Sequence, residues 1–93
     1  MTSNLDATIA TLTRLIDLEH FAAREIHARA ARRRLLRAPS IVTPAARLRA
    51  TRRGYDAVKR AKIHRRRAAV LEAQRAALYA RRDEAARAFA SLL

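Results

Sequence analysis

Leu5, Ile9, Leu12, Ile16, Glu19, Ala23, Ile26 and Ala30 follow one another at alternating steps of four and three. That spacing keeps them on one stripe of an α-helix, as in a coiled-coil seam, with Glu19 as its polar member. Ser3-Asn4-Leu5-Asp6 ahead of the stripe predicts a capping-box start, the Ser oxygen accepting a free backbone N–H and Asp6 answering it. Pro39 cannot continue a helix and biases its predecessor away from helical backbone, so the first helix is predicted over 4–37. A loop is predicted over 38–43. Thr43-Pro44 then restarts a helix, with Thr as N-cap and Pro in the first turn, where its missing N–H costs nothing. From there the pattern stays helical over 44–91. Gly54 is the one blemish. Inside a continuous helix it costs about 1 kcal/mol, and otherwise it breaks the helix after Arg53. One long helix, kinked at most, is the better reading.

Two helices joined by a short loop predict an all-α, antiparallel hairpin, with 1–93 as a single helical domain. With equal rise per residue, Leu5 faces Ala76, and the last turns of the second helix overhang. Leu78, Tyr79, Phe89 and Leu92 lie on that stretch. An apolar stripe without a partner in its own chain points to self-association, so these four are the candidate oligomerisation residues of a helical bundle.

Composition sharpens this picture. Apolar residues make up 51% of the 93, but about half of them are Ala, so the core is thin. Leu, Ile, Val and Phe together are about a quarter of the chain, just above the level at which disorder becomes the rule. A homo-oligomer or another partner is therefore expected to supply stability. One Gly and two Pro are too few for the turns of a sheet protein, while Ala, Arg, Leu and Glu are strong helix formers. The absence of Cys excludes a disulfide framework and any thiolate site. No apolar run is long enough to predict a membrane span. The first residues lack the basic-then-apolar order of a secretory signal, and Asp6, Asp17 and Glu19 are unlike a transit peptide. A cytoplasmic or phage-associated setting is expected.

Net charge is +13, and it is not evenly spread. Residues 1–28 carry Arg14 and Arg24 against Asp6, Asp17, Glu19 and Glu25. Residues 29–67 hold fifteen basic side chains and one acid, Asp56. Residues 68–93 are nearly balanced. In a hairpin, the middle of the chain is the tip, so folding brings the two basic blocks side by side. Helix dipoles favour basic residues in the last turn of a helix only, which is too short a reach for a block of this length. All but Lys59 and Lys62 of the 21 basic residues are Arg, whose planar fork takes phosphate oxygens two at a time. The candidate polyanion-binding residues are Arg29, Arg32, Arg33, Arg37, Arg47, Arg49, Arg52, Arg53, Lys59, Arg60, Lys62, Arg65, Arg66 and Arg67. Arg33 and Arg37 also continue the packing stripe. Unpaired guanidinium groups are not buried there, so either the helices splay, or the arginines reach outward, or an anion fills the space.

Catalytic patterns are lacking. His20 and His27 are seven apart, two turns along one face, too far to chelate one ion, and no four-ligand metal set is present. Ser3, Ser40 and Ser91 have no His and acid at recognisable spacing, and a lone Gly54 cannot cradle a nucleotide. No enzyme activity, metal or cofactor is expected. Tyr55 is the one aromatic within the basic region, where single-strand recognition by stacking uses several. The first expectation is thus a non-catalytic nucleic-acid-binding oligomer that contacts the phosphate backbone, DNA before RNA. A DNA-packaging protein of the phage small-terminase kind, a nucleoid protein or a mobilisation accessory factor would fit. The second is a helical adaptor or stalk docking on an acidic protein in a secretion or motor complex. A peripheral helix on anionic lipid ranks last, because the basic region lacks a broad apolar face.

Overall fold

The computed structural model describes the backbone of residues 2–37 and 43–93, and the side chains of 4–35 and 43–93. Two helices account for the fold, α1 (Thr2–Arg37) and α2 (Pro44–Ser91). Among the described residues only Thr43, Leu92 and Leu93 lie outside them. The protein is an all-α helical hairpin, as its periodicity predicts. The loop expected over 38–43 lies outside the described residues except for Thr43.

The start of α2 forms as its sequence implies. Thr43 is extended at φ −106° and ψ 147°, and its hydroxyl accepts the Ala46 N–H at 3.2 Å. Pro44 occupies the first turn, and the Thr43 carbonyl accepts the Arg47 N–H at 3.1 Å. The start of α1 differs from expectation. The helix already begins at Thr2, so Ser3 lies within its first turn, and the Ser3 side chain of the expected capping box is outside the described residues. Extending a formed helix gains one backbone hydrogen bond per residue fixed, which makes the added residues inexpensive. Thr8, Thr11 and Thr13 satisfy their hydroxyls on the carbonyls of Asn4, Ala7 and Ile9, four residues back in the same helix.

The two helices pack along one seam. On α1 every member of the predicted stripe from Leu5 to Ala30 is buried or half-buried, with Ile9, Ile16 and Ala23 at its centre. On α2 the matching stripe is Ala46, Ala50, Gly54, Ala57, Ala61, His64, Ala68, Leu71, Arg75 and Leu78. Its centre, Ala57, Ala61 and Ala68, is the most buried part of the molecule. Large side chains on α1 therefore meet a strip of small ones on α2. The core consists of two Ile and four Ala, each Ala contributing little more than one methyl group, about 0.8 kcal/mol.

Polar contacts fix the antiparallel order. Arg82 meets Asp6 at 3.4 Å, Arg75 donates to the Thr13 hydroxyl at 3.1 Å, and Glu72 meets His20 at 3.0 Å. Arg82 is six residues beyond the Ala76 that equal rise places opposite Leu5. Helical side chains tilt toward their own N-terminus, so Arg82 leans back down α2 and lengthens the paired region. Leu78 is accordingly half-buried within the hairpin, and the true overhang begins after Arg82. The result is a rod 75 × 15 × 15 Å with a radius of gyration of 21.3 Å. A compact domain of this length has a radius of gyration of about 12 Å.

Candidate nucleic-acid interface

The closed end of the hairpin gathers charge from both helices. Arg29, Arg32, Arg33 and Arg34 occupy the last turns of α1, and Arg47, Arg49, Arg52 and Arg53 the first turns of α2. All are exposed except Arg33, which is half-buried. The Arg37 side chain lies outside the described residues.

The two groups differ electrostatically. Arg29 to Arg34 approach the C-terminal end of α1, where the helix dipole is negative and welcomes cations. Arg47 stands in the first turn of α2, where the dipole is positive and no acid is present, and Arg49 follows in the next turn. The placement of Arg47 costs stability in the isolated chain. An anionic partner at the tip would reverse the sign of that contribution.

For Arg33 the conflict posed by a seam arginine resolves in the structure. Arg33 folds back along α1, its Nε–H donating to the Arg29 carbonyl at 3.4 Å. Opposite it, α2 presents Gly54, where an added Cβ would meet nothing within 4 Å. A cleft of about 460 Å³ opens between the helices, walled by Ala30, Ala50, Thr51, Tyr55 and Val58 and edged by Arg33, Arg34 and Arg53. Arg34 is a member that sequence reasoning left out of the candidate set. Its position one residue beyond the seam was the available signal.

Further along α2, Arg52-Arg53, Lys59-Arg60 and Arg66-Arg67 recur at intervals of seven. Heptad spacing sets the three doublets along one flank of the helix, over about 21 Å. Arg65, seven before Glu72, lies on the other flank with Lys62. Lys59 stacks over the Tyr55 ring at 4.8 Å, so the aromatic of the basic region is engaged by its own neighbour.

The charge of this block is not cancelled by direct pairing. Among the described residues the ion pairs are His20–Glu72, His64–Glu19 and Arg82–Asp6. Asp17 and Glu25 of α1 pair with none of the basic side chains from Lys59 to Arg67. No protein family, curated protein or solved structure matches this chain. The arrangement must therefore be read from its own chemistry. No described helix is long and apolar enough to cross a membrane.

At the far end, the candidate oligomerisation residues separate. Leu78 belongs partly to the seam, and Tyr79 is covered by Arg82 at 4.9 Å from its ring. Phe89 and Leu92 project from the overhang, 65% and 83% exposed.

Proposed function

We propose that the protein is a non-catalytic, oligomeric helical hairpin that binds nucleic acid through its phosphate backbone, DNA in preference to RNA. The observation that carries this reading is the tip: among the described residues, arginines from two helices converge at one end without acidic partners, and Arg47 is set against the dipole of its own helix. Guanidinium groups so placed take phosphate oxygens in pairs and release counterions as they do so. His20 and His64 each join α1 to α2. A rod with a cationic end suits a DNA-packaging, nucleoid or mobilisation accessory factor.

Fluorescence anisotropy of a labelled random-sequence duplex, titrated at several salt concentrations, tests this. Submicromolar binding that falls steeply with salt is expected, and its slope counts the phosphates contacted. Binding that disappears by about 150 mM salt, near physiological ionic strength, would overturn it and leave an adaptor for an acidic protein surface.

A further inference from the structure

One flank of the hairpin carries apolar surface that the seam does not use. On α1, Leu15, Leu18 and Ala22 fall at steps of three and four beside Glu19, so they share a stripe. On α2, Ile63 and Val70 are seven apart on the side where Glu19, Arg66, Arg67 and Leu71 join them in a shallow groove. Glu19 thus brings the two stripes together into one face. Leu15, Leu18, Ile63 and Val70 are 42, 60, 46 and 58% exposed on it.

We infer that this face is the docking surface for a second copy of the chain, set so that α1 of each copy lies on α2 of the other. Three observations name the occupant. The chain exposes 7511 Å², whereas a compact monomer of its mass exposes about 5,400 Å². That surplus exceeds the roughly 800 Å² each partner gives to a stable interface. The core of two Ile and four Ala is slight for a free-standing domain. Charge then selects the arrangement. The face of α1 carries Glu25, beside the Glu19 that His64 already pairs, and the face of α2 is bordered by Arg60, Arg66 and Arg67. Laying α1 on the partner's α2 opposes acid to base, while α2 on α2 would oppose arginine to arginine.

A two-fold axis along the rod satisfies this pairing and sets both arginine tips at the same end. The dimer is a four-helix bundle with a doubled cationic end and its flank arginines opposed to the partner's acidic α1. The inference is independent of what the tips bind. Phe89 and Leu92 offer a poorer surface, being isolated on a single overhanging helix among Asp83, Glu84 and Arg87.

The chain has no Cys, so Ala45→Cys, at an exposed tip position, places one spin label per copy. Light scattering should return twice the 10.5 kDa chain mass. The label-to-label distance should be about 10–30 Å, one to three helix diameters. Leu18→Glu with Val70→Glu, both outward in the single hairpin, should weaken the dimer about a hundredfold. A single-chain mass at every concentration overturns the inference. So does a label distance near the 75 Å rod length, or a dimer indifferent to the flank substitutions. The label measurement leaves the flank intact, so it decides the matter even where the doubly substituted chain unfolds.

Discussion

Glu19 and His64 meet across the middle of the seam, Glu19 Oε2 2.5 Å from His64 Nδ1, with both side chains about three-quarters buried. Each is the polar member of an otherwise small or apolar stripe. Deleting one partner strands the other away from water, whereas replacing both removes the demand. His64→Ala is therefore expected to lower stability by about 1–2 kcal/mol, with Glu19→Leu in the same chain restoring most of it. Thermal melts of the two single variants and the pair, read by circular dichroism, would give the coupling. Additive losses would show that the pair does not act as a unit.

Gly54 lies on the seam, yet a Cβ added there would meet nothing within 4 Å, and its backbone is helical with φ negative. Gly54→Ala should raise stability by about 1 kcal/mol through helix propensity alone. A higher melting temperature with unchanged helicity is the expected result. A lower one would mean that α2 bends at this position in solution.

Much of this architecture was legible in the residues. The stripe from Leu5 to Ala30, the Thr43-Pro44 start and the continuity of α2 through Gly54 all follow from local rules, because each depends on neighbours within a turn or two. The register between the helices did not follow. Equal rise places Leu5 opposite Ala76, and only the reach of Arg82 to Asp6 extends the pairing. The cross-helix pairs His64–Glu19 and His20–Glu72 join residues 45 and 52 apart, beyond any local periodicity. The basic tip was visible as a charge block. The cleft at its centre was not, since it arises from Gly54 and Arg33 facing each other across two helices.

The tip makes a sharper prediction than net charge does. Arg52→Glu with Arg53→Glu removes two contacts beside the cleft, while Arg81→Glu with Arg87→Glu makes the same change in charge at the base. The first pair should weaken duplex binding at least on the order of tenfold, and flatten the slope of log affinity against log salt by about 2. The second should leave the slope nearly unchanged. Equal effects from the two pairs would mean that binding follows total charge and that the tip has no special part.

Beyond Arg82 the overhang stands alone. Every residue from 83 to 93 is exposed, and the helix there is held only by its own backbone and by local contacts such as Ser91 Oγ donating to the Ala88 carbonyl at 2.8 Å. A single helical segment of this length is marginal in water, so it contributes little to the cooperative unfolding of the hairpin. Ending the chain after Arg82 keeps the Arg82–Asp6 pair and the whole seam. The shortened chain should melt within a few degrees of the full one and lose helical signal only in proportion to the residues removed. Its mass by light scattering should still be that of two copies, because the flank of Leu15, Leu18, Ile63 and Val70 is intact. A fall to one copy would move the interface to Phe89 and Leu92, where the overhang of one chain would then have to find its partner in another.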